Sequence, residues 1–244
     1  MKFRNDDTFL VSYPKSGNTW LRFLLANLIA RPPESFRDAN RLVPDIHNAH
    51  TPDILESVPS PRIIKSHYPF DPQYKKVIYL VRDPRSVSLS QYFFKMRRGE
   101  ISSDAGFESF LEKFLDGFDD GYSNWGNNVT SWLQTERGDG SLFVIRYEAL
   151  RRNTFSELKR ICEFGGIHFS DQKIEQAIAN SSMEAMRKME RETGLGNQLR
   201  GKGDLSIPFV RKGSTTEWRD YFSESMETRL RNRFSDAMRL AGYT

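Results

Sequence analysis

Residues 8–30, TFLVSYPKSGNTWLRFLLANLIA, constrain this chain more than any other stretch. A short apolar run (Phe9, Leu10, Val11) stops at Tyr13-Pro14, passes through Lys15-Ser16-Gly17-Asn18-Thr19 and enters a long apolar helical pattern. That order predicts strand, tight loop, helix. Such a loop aims backbone N–H groups and the positive end of a helix dipole at one spot, which suits an anion, above all a phosphate. An ordinary strand-to-helix turn capped by Ser or Thr has the same outline. The nucleoside-triphosphate loop G-x-x-x-x-G-K-[ST] needs glycine ahead of its lysine. Here Lys15 precedes Gly17 and no earlier glycine is present, which disfavours a triphosphate held with magnesium.

At 244 residues the chain fits one α/β domain and can bury a substantial core. Its 38% hydrophobic and 28% charged residues are the proportions of a soluble globular protein. The longest apolar stretch, 21–30, is broken by Arg22 and Asn27 and is too short to span a bilayer. The opening MKFRNDDTFL has no signal-peptide pattern. A single cysteine, Cys162, rules out an intrachain disulfide and fits a reducing compartment; its neighbours Leu158, Ile161 and Phe164 suggest a buried helix position. A net charge of +4 suits an anionic ligand but is too mild to argue for nucleic acid. The expectation is a cytoplasmic protein with no membrane span and no nucleic-acid partner.

Three further apolar runs, at 62–66, 76–81 and 141–147, have the nearly continuous pattern of parallel strands buried on both faces. Helical patterns occupy 86–96, 107–118, 124–134, 154–164, 171–180 and 225–240. Alternating strands and helices argue for βαβ units, and nothing in the composition divides the chain, so 1–244 is read as a single domain. Segments 31–61 and 192–213 look irregular and long enough to be lids or substrate walls. Phe107, Phe110, Phe114 and Phe118 recur at roughly helical spacing, which fits core better than a ligand pocket.

In an open parallel sheet, ligands sit beyond the carboxyl ends of the strands. That rule gathers Lys15–Thr19, Lys65-Ser66-His67, Arg82-Asp83-Pro84-Arg85 and Tyr147-Glu148 on one rim. Chance placement of 36 basic residues would not be expected to end three consecutive strands with cations. Arg82 and Ser90 are spaced to approach one another and hold a second phosphate; the plainer alternative pairs Arg82 with Asp83. Two grips suit a nucleotide phosphorylated at two places, such as a 3′,5′-bisphosphate. His67 is the candidate base, because an imidazole titrating at about 6.5 can take a hydroxyl proton at neutral pH. His47, His50 and His168 are read as structural, and no histidine or cysteine spacing suggests a metal site. Arg211-Lys212-Gly213 can close on a phosphate, or can simply be a solvated basic turn.

Together these pieces resemble the sulfotransferases that use 3′-phosphoadenylyl sulfate (PAPS). YPKSGNTW at 13–20 resembles their 5′-phosphosulfate loop, RDPRSVSLS at 82–90 their 3′-phosphate motif, and RKG at 211–213 their C-terminal phosphate signature. KSH at 65–67 matches the segment that carries the catalytic histidine in the cytosolic branch. All four lie in the family's order and span nearly the whole chain. The resemblance implies a three-layer α/β/α, P-loop-NTPase-like fold with a central parallel sheet of about four to five strands.

It also implies roles. Lys15, Ser16, Gly17, Asn18 and Thr19 would hold the 5′-phosphosulfate, with Trp20 stacking on adenine. Arg82, Ser90, Arg211, Lys212 and Gly213 would hold the 3′-phosphate, with Tyr147, Ser181 and Met183 near the base. Met183 stands where the family usually has Phe. His67, Lys15 and Lys65 would be catalytic in an in-line transfer to a small-molecule hydroxyl acceptor, leaving 3′,5′-ADP, with no metal. Thr216, Glu217 and Arg219 depart from the family's Gly, Asp and Lys, and the dimer motif of animal cytosolic members is absent, which leaves the oligomeric state open. The resemblance fits a compact, bacterial-type member. A P-loop-like small-molecule kinase and a non-catalytic adenosine-bisphosphate-binding protein are the rival readings; neither the acceptor nor the source organism is legible.

Overall fold

The computed structural model describes residues 2–48, 51–135, 140–195 and 203–244. In chain order, β1 (Thr8–Val11) is followed by α1 (Asn18–Ile29), α2 (Phe36–Leu42), α3 (Thr51–Ser57), β2 (Ile63–Ser66) and β3 (Lys76–Val81). Then come α4 (Pro84–Arg98), α5 (Phe107–Asp116), α6 (Trp125–Leu133) and β4 (Leu142–Arg146). The chain continues through α7 (Tyr147–Arg152), α8 (Thr154–Gly165), α9 (Asp171–Asn180), α10 (Met183–Thr193) and α11 (Glu224–Leu240).

Among the described residues the sheet has four strands, all parallel, in the order β2-β1-β3-β4. Alternation along each strand separates two cores. Phe9, Val11, Val77, Tyr79 and Val81 join residues of α4, α5, α6 and α11, including Leu89, Phe114, Trp132 and Phe234. Leu10, Ile78 and Leu80 face the other way, onto Leu21 and Leu24 of α1, Leu158 of α8 and Ile174 of α9. The three-layer α/β/α arrangement follows from that alternation. Phe107, Phe110 and Phe114 are buried in the first core, with Phe118 packed at its edge, as the helical spacing suggested. Cys162 is buried in α8, and burial pushes its thiol up to about 11.

Segment 31–61 is not wholly irregular. Ser35 caps α2 by accepting the N–H of Asp38, and Phe36 and Ala39 bury against Phe23 of α1. The run read as strand through 147 ends at Arg146, where the chain turns directly into α7. His50 and residues 196–202 of the second irregular segment lie outside the described residues.

At the start of β1, Asp7 and Arg62 form a bidentate ion pair, with Nε to Oδ1 at 2.7 Å and Nη2 to Oδ2 at 2.6 Å. Their side chains are 0% and 2% exposed. Removing one partner strands a buried charge, so Asp7→Asn is expected to lower stability by about 3–5 kcal/mol in denaturant unfolding. A loss under about 1 kcal/mol would contradict that reading of the pair.

Candidate active site

β1 has β2 on one side and β3 on the other. The helices that follow β1 and β3 pack on opposite faces of the sheet. A crevice therefore opens at the carboxyl ends of these strands. It is a cavity of about 710 Å³, walled by the loop after β1, His67 after β2, Arg82 after β3, and Arg211 and Gly213 from the far end of the chain.

The loop after β1 is built from two left-handed residues, Lys15 (φ 69°) and Gly17 (φ 102°). Gly17 is required twice over, since a Cβ there would lie 2.5 Å from the Tyr147 ring. Lys15 holds the same conformation without being glycine, a strain typical of ligand-gripping loops. No side chain caps α1, so its first N–H groups stay available to an anion. Asn18 turns its amide back to the Leu10 carbonyl and Ser12 Oγ, leaving Oδ1 buried without a partner. Ser16 Oγ is likewise buried and unpartnered, and Ser16 is not among the cavity walls.

The Lys15 amine lies 3.9 Å from the Phe94 ring centroid and 4.8 Å from that of Phe209. Among the described residues it makes no ion pair. Burial, together with the Arg82, Arg211 and Arg97 charges, lowers it to about 7. A cation held under such strain is one an anionic ligand would relieve.

Arg82 is fixed from several sides. Its guanidinium donates to the carbonyls of Lys15 (3.1 Å) and Ser214 (2.8 Å) and lies over the Tyr147 ring at 4.3 Å. Trp125 Nε1 donates to its carbonyl at 3.2 Å. Asp83 caps α4 and Pro84 starts it, so the chain leaves Arg82 on the rim and carries Ser90 into the cavity wall. Asp83 pairs with Arg85, so the plainer alternative of an Asp83–Arg82 pair is not what forms. Arg82 Nε is buried with no partner.

Arg211 lines the same cavity while its guanidinium also binds Glu217. Lys212 departs from expectation: its side chain is 64% exposed, reaches Glu217 at 3.0 Å and is not among the cavity walls. The Tyr147 hydroxyl donates to the Gly213 carbonyl at 3.1 Å, joining the fourth strand's end to this turn. Trp20, Thr19 and Met183 line the same end. Ser181 is fully buried behind Trp20, accepting its indole N–H at 3.0 Å, so it positions that ring and does not line the cavity.

At the other end, His67 Nδ1 lies 2.7 Å from the Ser12 carbonyl. A carbonyl only accepts, so Nδ1 carries the proton and Nε2 keeps its lone pair. Burial, with Lys65 beside it, holds His67 well below its ordinary value, so the ring is neutral at pH 7. Lys65 is buried with its amine on Asp45 Oδ2 at 2.8 Å. Although burial pushes Asp45 up, the Lys65 and Arg22 charges hold it well below the usual carboxylate range.

Sequence reasoning missed Asp45, His47, Phe94 and Phe209. His47, read as structural, lies against His67 and in the cavity wall. Nothing in its spacing marks it, because it reaches the site only through a tertiary strand contact. His168 is exposed.

The walls present the Lys15, Arg82 and Arg211 cations together with orphaned buried polar atoms on Asn18 and Arg82, and Ser16 Oγ is orphaned in the same loop. Those features fit a doubly phosphorylated nucleotide. Among the described residues no three His, Cys, Asp or Glu side chains gather as a metal site. No helix of the described residues is long and apolar enough to cross a membrane.

The chain and its fold both match known proteins. The family model described as Sulfotransferase domain matches residues 5–242. The 3-beta-hydroxysteroid sulfotransferase of Cavia porcellus is 28% identical over 252 residues, covering 98% of this chain and 85% of that protein. Sulfotransferase 1B1 of Mus musculus is 30% identical over 236 residues, covering 89% and 77%. The crystal structure of mouse sulfotransferase SULT7A1 complexed with PAP superposes with a TM-score of 0.77 at 25% identity, covering 98% of this chain and 86% of that one.

Proposed function

The chain belongs to the sulfotransferase-domain family, and on that premise we propose that His67, Lys15 and the two phosphate grips carry out its reaction. That reaction is transfer of the sulfuryl group from PAPS to a hydroxyl of a small-molecule acceptor. The observation that carries the residue assignment is the meeting of a neutral, Nδ1-protonated His67 with the Lys15, Arg82 and Arg211 cations in one cavity.

Arg82, Ser90, Arg211 and the Gly213 turn hold the 3′-phosphate, with Lys212 contributing from the turn's outer side. Trp20, Tyr147 and Met183 surround the adenine, and Ser181 holds Trp20 in place. Lys15 and the N–H groups of Gly17, Asn18 and Thr19 hold the 5′-phosphate, with Ser16 beneath them. His67 Nε2 takes the acceptor's proton as its oxygen bonds to sulfur and the bond from sulfur to the 5′-phosphate oxygen breaks. Lys15 and the loop amides meet the charge that grows on that leaving oxygen, so these contacts strengthen in the transition state. Lys65, tied to Asp45, lies beside the base, where its charge helps to keep His67 unprotonated. With these cations in place the proposal needs no metal.

A kinase reading is separated by ligand. The structure should gain thermal stability from 3′,5′-ADP and little from Mg-ATP. Arg82→Gln should weaken 3′,5′-ADP about 100-fold, the worth of roughly two charge-assisted bonds. Preference for Mg-ATP, or an unaltered dissociation constant in Arg82→Gln, would count against the assignment.

Lys15 gives a pH signature. In the free protein its amine loses its proton above about pH 7. A bound phosphate favours the charged amine, so binding must take up a proton wherever the free amine is neutral and the bound one is not. Calorimetry at pH 8.5 in buffers of different ionisation enthalpy should show uptake of up to about one proton per 3′,5′-ADP, with affinity falling as pH rises. Lys15→Arg should remove the uptake. Buffer-independent heats at pH 8.5 in the unmutated protein would rule the effect out.

A further inference from the structure

The backbone of the proposed base is held by a segment that the phosphate grips do not involve. Beyond α2, the chain runs beside β2 as a short parallel bridge pairing Asp45 with Lys65. Lys65 donates its N–H to the Pro44 carbonyl at 2.7 Å, and Ile46 donates to the Lys65 carbonyl at 3.1 Å. Arg22, the cation that interrupts the apolar face of α1, anchors this segment by donating to the Val43 carbonyl at 2.8 Å. The bridge sets a register that brings Asp45 to the Lys65 amine and His47 to His67.

His47 Nε2 accepts the backbone N–H of His67 at 2.8 Å. The two imidazoles lie nearly parallel, 15° apart, with centroids separated by 5.4 Å, and Tyr122 packs edge-on against both. His67 follows the last residue of β2, so its N–H lacks the ladder partner that residues inside the strand have. Asn128 donates to its carbonyl at 3.0 Å, and Ser12 takes the ring N–H. His47 supplies the third of these contacts.

We propose that His47 is a positioning residue: by accepting the His67 N–H and packing along its ring, it fixes the exit of β2 so that His67 Nε2 faces the acceptor hydroxyl. Accepting that bond requires His47 to be the neutral tautomer protonated on Nδ1. Burial and the nearby Lys65 charge lower His47 to about 4, so it keeps that lone pair at neutral pH. The inference rests on His67 being the base.

The test, at neutral pH, uses the full chain with PAPS, 2-naphthol as the probe acceptor (a phenol that keeps its proton there), and three variants. His47→Phe keeps a flat ring but has no acceptor atom; His47→Gln restores an acceptor oxygen near the position of Nε2. Misplacing a base by about 1 Å can cost on the order of 100-fold, so His47→Phe should lower kcat about 10- to 100-fold. Its KM for PAPS and Kd for 3′,5′-ADP should stay near those of the unmutated protein. Hydrogen exchange of the His67 amide should speed up in His47→Phe, and His47→Gln should recover both exchange protection and most of kcat. An unchanged His67 exchange rate in His47→Phe overturns the proposal, as does a His47→Gln variant as impaired as His47→Phe. Retained turnover in His67→Ala instead removes the base assignment, which separates the two failures.

Discussion

His67→Ala is expected to lower sulfuryl transfer by about 10²- to 10⁴-fold, the usual worth of a positioned general base. The Kd for 3′,5′-ADP should change little, because the residues assigned to the phosphates belong to other segments of the cavity wall. Geometry makes this a sharp expectation. With Nδ1 committed to the Ser12 carbonyl, the ring has one free lone pair, and burial keeps it unprotonated at pH 7. His67→Asn or His67→Gln could hold an acceptor by hydrogen bonding yet would not carry its proton away, so both should resemble His67→Ala. Turnover within about tenfold of the unmutated protein would take His67 out of the proton-transfer step.

Lys15→Met should lower kcat by about 10²- to 10³-fold, as loss of one preorganised donor to a developing anion does elsewhere. Methionine keeps an unbranched apolar side chain and removes the charged donor that lies against Phe94 and Phe209. Ground-state affinity for 3′,5′-ADP should fall less than kcat, because the leaving oxygen gains charge only as the bond to sulfur breaks. An equal loss in affinity with kcat intact would reassign Lys15 to simple binding. The two variants divide the reaction: His67 acts on the entering oxygen and Lys15 on the departing one.

Much of this site was legible because strand ends are local features. Continuous apolar runs ending in Lys15, Lys65-Ser66-His67 and Arg82 mark parallel strands, and the sheet rule alone then gathers them on one rim. Gly17 also announces itself, since the turn demands a positive φ. What stayed hidden depends on contacts between segments far apart in the chain. Asp45 and His47 enter through a bridge to β2 that no periodicity encodes. Glu217 looks like a family departure until its carboxylate is seen joining Arg211 and Lys212. The short helix α2 was missed because it has seven residues and depends on the Ser35 cap and on Phe36 packing against Phe23. Lys65 was assigned a catalytic role from sequence; its ion pair with Asp45 adds a constraint that its neighbours in the chain did not suggest.

The most direct test of the central claim is incubation of the purified chain with sulfur-labelled PAPS and a panel of phenols, alcohols, sterols and sugars. Labelled sulfate ester and 3′,5′-ADP should appear in equal amounts with at least one acceptor, and both should form at least about 100-fold more slowly in His67→Ala. Full occupancy by 3′,5′-ADP with no labelled ester on any hydroxyl, or an equal yield from His67→Ala, would contradict the account.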